Sequence, residues 1–318
     1  MDEFQLIRRY FQTDCPGPGV VLGVGDDAAV LELAAGERLV ASVDTLVSDV
    51  HFPADAPPAS IGHKALAVNL SDLAAMGARP AWLLLALTLP EIREPWLVAF
   101  SQGLADLGRA HGMTLVGGDT TRGPLTITVQ ALGRLQGEPL RRDAARAGDR
   151  VLVSGTLGDA GGGLQLWQQG CRPNAPSARY LVERLHRPVP QVALGMALRG
   201  IVRAAIDVSD GLAADLGHVC RASGAGAVLE RERLPLSGEL VEQLGEDTAR
   251  RLALSHGDDY ELCVTVAPAA VATARQAAAG LGVRLTEVGR IEAGEGVRVV
   301  DAAGQPTDAG GGYRHFAS

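Results

Sequence analysis

The sequence predicts an α/β protein of about two domains. At 318 residues the chain is long enough for two domains of roughly 150 residues each. Hydrophobic residues make up 47% of the chain, charged residues 21%, and 40 residues are glycine, a composition typical of α/β proteins. Strand-like and helix-like segments alternate in both halves, and a polar, arginine-rich stretch at 134–148 separates them. The predicted domains are therefore 1–137 and 138–318.

Hydrophobic periodicity assigns the elements of the first half. Apolar residues three and four apart predict helices, and alternating apolar and polar residues predict strands. After Leu125, apolar residues alternate with threonine and glutamine, which indicates a strand with one wet face. Asp119, just before it, is placed in a glycine-containing turn at a sheet edge. The predicted elements are a helix at 3–12, strands at 20–24, 29–33 and 39–43, a helix from Pro57, a strand at 82–89, a helix at 95–112 and the strand after Leu125.

The second half repeats the alternation of strands and helices. Its glycine-rich turn, Gly155–Gly163, either cradles a phosphate with backbone N–H groups at a helix start or is a tight packing turn. It is not a Walker A loop, because the pattern G-x-x-x-x-G-K-[ST] does not occur. The predicted elements are a strand at 150–154, helices at 164–169 and 191–203, a strand, turn and helix within 204–224, a turn and strand within 255–267, a helix at 269–281 and a strand at 286–291.

Charge and cysteine content exclude several classes of protein. The net charge of −8 argues against nonspecific nucleic-acid binding, because no basic excess displaces counterions. The four cysteines form no C-x-x-C pair, which argues against a zinc site and a disulfide framework. Lys64 is the only lysine, which excludes lysine-based phosphate loops. Without a signal-peptide pattern or a run of about 18 apolar residues, we expect a cytoplasmic protein that does not span a membrane.

Acidic residues recur in turns beside apolar strands. One such aspartate is explained as a helix or turn cap, but five or six together are not. Carboxylates that share a cleft repel one another unless cations lie between them. Ligand sets of oxygen atoms favour Mg²⁺ when phosphates complete the coordination, and no His/Cys cluster suggests a transition metal. The sequence therefore predicts a site for several Mg²⁺ ions and phosphate. The acidic residues are Asp26, Asp27, Asp44, Asp72, Asp119, Asp207, Asp210, Asp258, Asp259 and Glu261.

Three basic side chains are further candidates. Arg141 and Arg142 either clamp a nucleotide phosphate or form a solvated pair in the linker. His51, one of seven histidines, is either functional or structural. The sequence pattern leaves both alternatives open.

Six stretches resemble the thiamine-monophosphate kinase family, which belongs to the superfamily of aminoimidazole ribonucleotide synthetase and selenophosphate synthetase. They are GVGDDAAVL, SVDTLVSDVHF, HKALAVNLSDLAAMGARPAWLLLALTLP, GGDTTRGPL, IDVSDGLAADLGH and GDDYEL, and the likeness covers nearly the whole chain. The resemblance implies a two-domain aminoimidazole ribonucleotide synthetase-like fold. Its N-terminal domain would bind ATP and magnesium and form a homodimer through its sheet, and its C-terminal α/β domain would cover the active-site cleft.

The resemblance also implies a reaction. ATP would phosphorylate thiamine monophosphate to thiamine diphosphate by direct in-line transfer, with several Mg²⁺ ions and no general base. The implied magnesium ligands are Asp27, Ser42, Val43, Asp44, Asp72, Asp119, Asp207 and Asp210. The implied ATP contacts are Gly118, Asp119, Arg142 and Ser209, and the implied substrate contacts are His51, Asp258 and Tyr313. Family members often carry threonine in place of Val43, so only the backbone carbonyl remains as a ligand here, and many carry glutamate in place of Asp258.

Two alternative functions remain beside this one. A sister enzyme of the superfamily is the first, but selenophosphate synthetase uses an N-terminal cysteine or selenocysteine followed closely by lysine, and Cys15 has no lysine near it. A substrate screen distinguishes aminoimidazole ribonucleotide synthetase. The second alternative is a noncatalytic nucleotide- and metal-binding scaffold, which ADP release dependent on thiamine monophosphate would exclude.

Overall fold

The computed structural model describes residues 3–11, 17–25, 27–170, 175–308, 310 and 312. The chain divides into two units. The first contains Met1–Leu73 and Ala78–Gly137, and the second contains Ala74–Gly77 and Glu138–Ser318. Within the described ranges, no helix is both long and apolar enough to cross a lipid bilayer.

The first unit is built on a mixed sheet. In chain order its elements are α1 (Glu3–Tyr10), β1 (Val20–Leu22), β2 (Val30–Leu31), β3 (Glu37–Val47), α2 (Pro58–Ala75), β4 (Arg79–Leu89), α3 (Glu94–Ala110), β5 (Thr114–Arg122) and β6 (Thr126–Gln136). The four-stranded sheet has the order β3-β6-β4-β5. β3 and β4 run antiparallel to β6, and β5 runs parallel to β4. β1 and β2 form a separate antiparallel pair.

The two faces of this sheet differ in polarity. On one face of β6, Ile127, Val129 and Ala131 are fully buried, at 0% exposure each. On the other face, Thr128 and Gln130 are half-buried, and we call this the open face. The predicted strand with one wet face is therefore confirmed, because β-strand side chains alternate between faces.

Helices α2 and α3 touch at two glycines. A Cβ atom at Gly62 would overlap the carbonyl oxygen of Phe100, and one at Gly103 would overlap the carbonyl oxygen of Ala59. Only residues without a Cβ permit backbones to approach this closely. The crossing therefore fixes the position of α2, the helix that carries Asp72.

The second unit is built on a seven-stranded sheet with the order β13-β12-β9-β11-β7-β10-β8. In chain order its elements are β7 (Arg150–Ser154), α4 (Asp159–Gln168), α5 (Pro176–His186), α6 (Val192–Leu198), β8 (Ala204–Asp207), α7 (Leu212–Ser223), β9 (Gly226–Glu230), α8 (Gly238–Leu244), α9 (Glu246–Ser255), β10 (Leu262–Val266), α10 (Val271–Ala279), β11 (Leu285–Glu292), β12 (Gly296–Val300) and β13 (Pro306–Thr307), with 3₁₀ turns at Arg231–Arg233 and Pro268–Ala270. β9 and β12 are parallel, and the other neighbouring strands are antiparallel.

Apolar side chains of the second unit form two clusters. The first lies between the sheet and α7, where Leu212, Leu216 and Val219 are at most 1% exposed. The second joins the helices α4, α5, α8 and α9 through residues such as Leu181 and Leu240, both at 0% exposure. Burial of such side chains contributes about 1.5–3 kcal/mol each to folding.

Several element predictions differ from the structure. Asp119 lies inside β5, so its predicted place in a turn is wrong. The polar residues of β5 do not show the apolar alternation by which a strand is recognised in a sequence. The helix predicted at 164–169 begins at Asp159, since its first turns contain glycines, which have low helix propensity. The helix predicted at 191–203 ends at Leu198. Helices α5, α8 and α9 were not predicted, and neither were β9, β12 and β13.

Candidate active site

Two predicted metal ligands of the first unit lie together. Asp44 on β3 is paired with Val129, so it shares the buried face of the sheet, and α2 supplies Asp72. The two carboxyl groups share a hydrogen bond, and Ser42 Oγ donates another to Asp72 Oδ2. Burial raises the pKa of Asp44 to about 6, helped by the charge of Asp72 and their hydrogen bond. Asp44 and Asp72, which we call the acidic pair, repel each other when ionised, and a cation would relieve the repulsion.

Replacing Asp72 by asparagine should reduce the pH dependence of stability. Asp44 has a folded-state pKa of about 6, above its ordinary 3.8, so its stabilisation is complete below about pH 4 and is lost as pH rises through about 6. Without the charge of Asp72 the pKa of Asp44 falls, and less stability is lost. Urea unfolding between about pH 4.5 and 8, in EDTA, measures the slope.

Ser42→Ala is the matched control for this experiment, because it removes the hydroxyl that donates to Asp72 and leaves both carboxylates. We expect it to keep the wild-type slope of stability against pH. Equal slopes for wild type and Asp72→Asn would contradict the electrostatic coupling of the acidic pair.

A cleft of about 910 Å³ opens on the open face of the sheet. Asp27, Val43, Gly118 and Asp119 all line it. Asp119 is exposed, and Val43 leaves 59% of its surface uncovered. Gly118 is required by close packing, since a Cβ atom there would overlap the carbonyl oxygen of Leu85. The cleft therefore brings Asp27 and Asp119 to a face of the sheet opposite to the acidic pair.

The loop after β3 fixes the orientation of His51. Its Nδ1 accepts the N–H of Val47 at 3.0 Å, so the neutral ring carries its proton on Nε2. Asp49 in the same loop has a left-handed φ of 62°, and its Oδ1 accepts the N–H of Ala54 at 3.0 Å. The imidazole is thus held by the backbone through one nitrogen, with the other as a hydrogen-bond donor.

Two predicted metal ligands and one predicted ATP contact of the second unit lie close in sequence at the end of β8. Asp207 is the last residue of this strand, pairs with Leu262 and is 4% exposed. Ser209 and Asp210 lie in the turn between β8 and α7 and are half-buried. The structure therefore brings these residues together at one strand end, as their sequence spacing predicts.

Asp215 in the first turn of α7 was missed in the sequence. Its Oδ2 accepts the N–H groups of Ser209, Asp210 and Gly211 at 3.0, 3.0 and 3.1 Å. Burial raises the pKa of Asp215 to about 7, against the lowering effect of these hydrogen bonds. The available signal was its position: Asp215 falls on the apolar stripe of the helix, where an unpaired carboxylate is costly.

The structure distinguishes the two arginines of the linker. Arg141 Nε donates to Asp143 Oδ1 at 2.9 Å, so its guanidinium is neutralised locally. Arg142 accepts a hydrogen bond from Ser223 Oγ on its carbonyl oxygen at 2.9 Å, which ties it to the end of α7. Its guanidinium meets no carboxylate among the residues that the structure describes. Of the two, Arg142 is the better candidate for binding an anion.

Asp258 lies in a strained segment before β10. Its φ is 68° and that of Tyr260 is 51°, and such left-handed conformations cluster at functional sites when they occur in residues other than glycine. The Tyr260 hydroxyl donates to Asp258 Oδ1 at 2.9 Å. Aspartate is among the residues that best tolerate this conformation. The third predicted substrate contact, Tyr313, lies outside the described residues, as does Asp26.

The structure favours packing over phosphate binding for the glycine-rich turn. The N–H of Gly158 donates to Asp259 Oδ2 at 2.7 Å, and that of Ala160 donates to Oδ1 of the same carboxylate at 3.4 Å. The N–H groups at the start of α4 are therefore already bound by a carboxyl group of the chain itself. A Cβ atom at Gly163 would overlap the carbonyl oxygen of Leu181, so α4 and α5 pack directly at this glycine.

Replacing Gly163 by alanine should destabilise the protein without weakening nucleotide binding. The added methyl group meets backbone atoms of α5, and overpacking of this kind costs about 1–3 kcal/mol. Thermal unfolding and the KM for ATP measure the two effects. Gly238→Ala is the control, because a Cβ there meets nothing within 4 Å and alanine favours the helix. A raised KM for ATP at unchanged stability would support a phosphate cradle instead.

A buried ionic network explains two acidic residues that the sequence placed with the site. Asp259 and Glu261 are 1% and 2% exposed. Arg184 Nη2 donates to Glu261 Oε1 at 3.0 Å, and its Nε lies 3.9 Å from Asp159 Oδ2. Tyr180 also donates to Asp159 Oδ2, at 3.1 Å. These carboxylates serve the structure of the second unit and do not join the acidic side chains predicted to bind metal.

The predicted magnesium ligands fall into small groups within each unit. Among the described residues, no three His, Cys, Asp or Glu side chains lie close enough to hold a metal ion. The acidic pair nevertheless fits Mg²⁺, since its donors are oxygen atoms and its two carboxyl groups repel each other when ionised.

Comparison with known proteins identifies the family of both units. Residues 25–135 match the family described as AIR synthase related protein, N-terminal domain, and residues 146–302 match AIR synthase related protein, C-terminal domain. The thiamine-monophosphate kinase of Salmonella typhimurium is 46% identical, with 99% of this chain and 98% of that protein covered.

Solved structures agree with these matches. The thiamine-monophosphate kinase of Stenotrophomonas maltophilia K279a is 48% identical, with a TM-score of 0.86 and 96% of both chains covered. AaThiL complexed with AMPPCP and TMP is 33% identical, with a TM-score of 0.80 and 92% of both chains covered. The predicted family and fold are thereby confirmed: this chain is an AIR synthase-related protein that belongs to the thiamine-monophosphate kinase family.

Proposed function

We propose that this protein transfers the γ-phosphoryl group of ATP to the phosphate of thiamine monophosphate, giving thiamine diphosphate and ADP. One observation carries the proposal: AaThiL, which covers 92% of this chain, was solved with AMPPCP and TMP together. AMPPCP is ATP with a methylene group between its β and γ phosphorus atoms, and we take TMP to be thiamine monophosphate. Binding of a phosphate acceptor together with an ATP analogue supports such a transfer, because the reaction requires both substrates on one protein.

The chemistry asks little of the protein in the way of proton transfer. The second ionisation of a phosphate monoester has a pKa of about 6, so the acceptor oxygen is largely ionised at neutral pH and needs no general base. The two substrates are both anions, and their repulsion is the main barrier to their approach. The side chains therefore contribute by positioning the two substrates and by neutralising the charge of their phosphates. We propose direct in-line transfer, and a kinetically competent phosphoprotein trapped with ³²P-ATP would contradict it.

We propose that several Mg²⁺ ions assist the transfer. When bound, Mg²⁺ neutralises phosphate charge and polarises the phosphoryl oxygens. In the first unit, Asp44 and Asp72 would hold it on the buried face of the sheet, with Ser42 Oγ orienting Asp72, and Asp27 and Asp119 would hold it on the open face. The carbonyls of Ser42 and Val43 would be further oxygens. In the second unit, Asp207 and Asp210 would hold Mg²⁺. The carboxylate repulsion within the acidic pair supports a cation there.

Other side chains would bind the organic substrates. Arg142, Ser209 and the backbone of Gly118 are proposed to contact ATP. His51, Asp258 and Tyr313 are proposed to contact thiamine monophosphate. Arg142 suits a phosphate because its guanidinium is not neutralised by a carboxylate of the described residues, unlike that of Arg141.

A coupled assay of ADP formation with ATP, Mg²⁺ and thiamine monophosphate tests the function. We expect turnover only when all three are present, with thiamine diphosphate as the product by chromatography. Selenide and the substrate of aminoimidazole ribonucleotide synthetase are the comparison substrates. ADP release that ignores thiamine monophosphate, or binding without turnover, would overturn the proposal.

The side-chain orientation of His51 predicts which substitution preserves activity. Because Nδ1 accepts the N–H of Val47, Nε2 is the donor that a substrate phosphate would meet. Glutamine places its amide nitrogen near the Nε2 position, whereas asparagine places it near Nδ1. We therefore expect His51→Gln to keep a lower KM for thiamine monophosphate than His51→Asn at equal thermal stability. The reverse order would show that Nε2 is not the binding atom.

We propose that the protein is a homodimer joined through the first unit. Several large apolar side chains of this unit are exposed, among them Val21 at 63%, Val30 at 49%, Leu39 at 50% and Val43 at 59%. Exposed apolar surface of this kind marks association sites. Light scattering should give twice the chain mass, and Leu39→Glu should shift the protein toward the monomer.

We also propose that the reaction takes place in the cytoplasm. ATP is available there, and the compartment keeps thiols reduced. Cys220 and Cys263 are free and buried, which agrees with a reducing environment. Fractionation of cells that produce the protein tests the location.

A further inference from the structure

The turn that carries Ser209 and Asp210 is held from inside by a single oxygen atom. Three consecutive N–H groups, those of Ser209, Asp210 and Gly211, donate to Oδ2 of Asp215 at 3.0, 3.0 and 3.1 Å. Asp215 is 2% exposed, so these bonds are shielded from water. Successive N–H groups that converge on one point form an anion-binding nest, and here the chain fills the nest with its own carboxylate.

The same turn is attached on its other side to the segment of Asp258. The N–H of Asp258 donates to the carbonyl oxygen of Ser209 at 3.0 Å. A Cβ atom at Gly257 would overlap that carbonyl oxygen, so the two segments are in direct backbone contact. A shift of the turn would therefore move Ser209, proposed to bind ATP, and Asp210, proposed to bind Mg²⁺, together with Asp258, proposed to bind thiamine monophosphate.

We propose that Asp215 is a positioning residue for phosphoryl transfer, an inference that rests on the proposed function. Its carboxylate occupies the amide nest, so the turn cannot use these N–H groups to bind a phosphate of ATP. What the turn offers a ligand is instead the hydroxyl of Ser209 and the carboxylate of Asp210, in an orientation that Asp215 sets. Loss of the carboxylate would leave three buried N–H groups unpaired, and the turn would rearrange to reach water.

The convergence on one oxygen gives the experiment its discriminating variant. An asparagine at position 215 still has one amide oxygen, which can accept all three N–H groups, whereas alanine has none. We expect Asp215→Ala to lower kcat about 100-fold, the effect of a misplacement of roughly 1 Å. The KM values for ATP and thiamine monophosphate should rise by smaller factors than kcat falls. Asp215→Asn should keep kcat within about fivefold of the wild type.

Chemical rescue separates positioning from general destabilisation. Formate added to Asp215→Ala can enter the vacated nest, and we expect it to raise the kcat of this variant at least about tenfold. Acetate should be less effective because it is larger. Val219→Ala is the matched control, since Val219 is a core residue of the same helix at 1% exposure. It should lose stability, keep kcat and show no response to formate.

The outcomes keep this inference distinct from the proposed function. A wild-type protein without ADP formation dependent on thiamine monophosphate would overturn the function and this role of Asp215 with it. With an active wild type, a kcat for Asp215→Ala within twofold would overturn the inference alone. So would an equal loss in the asparagine and alanine variants, or a loss in Asp215→Ala that formate does not reverse.

Discussion

Asp119→Ala is expected to lower kcat by roughly 100- to 1,000-fold while the protein stays folded, the size of effect seen when one charge-stabilising group is removed from an active site. Asp119 is exposed and lines the cleft on the open face, so its carboxylate contributes little to packing. Its negative charge there is instead available to a cation or a cation-bound phosphate. Steady-state kinetics at saturating ATP, thiamine monophosphate and Mg²⁺ measures kcat, and thermal unfolding measures stability.

Asp106→Ala is the matched control for this prediction. Asp106 is also an exposed aspartate of the first unit, and it bonds only with its helix neighbours Gln102 and Arg109 among the described contacts. Its substitution should change neither kcat nor, by more than about 0.5 kcal/mol, the free energy of unfolding. Near-wild-type turnover in Asp119→Ala would remove Asp119 from the proposed ligands.

Arg184→Met is expected to lower the free energy of unfolding by about 3–5 kcal/mol, because it removes the cation from a buried ionic network. The Arg184 side chain is 13% exposed, and the side chains of its partners Asp159 and Glu261 are 0% and 3% exposed. Methionine fills much of the volume but leaves these carboxylates without a positive charge. Denaturant unfolding measures the loss.

The loss of stability in Arg184→Met should grow with pH. Burial raises the pKa of Glu261 and raises that of Asp259 well above its ordinary value, while the charge of Arg184 lowers both. Without the arginine both pKa values rise further. Groups of this kind stabilise the fold fully below about pH 4 and lose that stabilisation as pH rises through their folded-state pKa. The deficit should therefore be larger at pH 8 than at pH 5.

Arg187→Met provides the comparison for the same residue type. Arg187 follows the end of α5 and pairs with Glu183 at 3.3 Å, with the two side chains 34% and 66% exposed. An exposed pair contributes at most about 1 kcal/mol, so this variant should stay close to wild type at both pH values. Equal losses in the two variants would contradict the role of the buried network.

The sequence predicts the chemistry of the site better than its arrangement. Each of Asp44, Asp72 and Asp207 lies beside apolar residues, and this local pattern is visible without a structure. The contact between Asp44 and Asp72 is not, since it depends on the side of the sheet that α2 covers. Arg142 and Arg141 are likewise equivalent in sequence, and only the hydrogen bond to Asp143 separates them.

The errors in the predicted fold have common causes. Polar strands such as β5 lack the apolar alternation that marks a strand, so Asp119 was assigned to a turn. Glycines hid the first turns of α4, because their helix propensity is low and their role is close packing against α5. Asp215 was not identified because its partners are backbone N–H groups, which carry no sequence signal. Arg184 was not identified because its carboxylate partner Glu261 is distant in sequence.

The glycines at the contact between α2 and α3 make the reactivity of the first unit depend on a residue that carries no charge. Gly62 and Asp72 belong to one helix and are ten residues apart, about 15 Å at 1.5 Å per residue. A larger side chain at position 62 would push α2 away from α3 and shift the carboxyl group of Asp72 near the other end of α2. In a mutational scan, substitutions of Gly62 should therefore lower activity as much as substitutions of a ligand-binding residue. Glycine acts here only by having no Cβ atom.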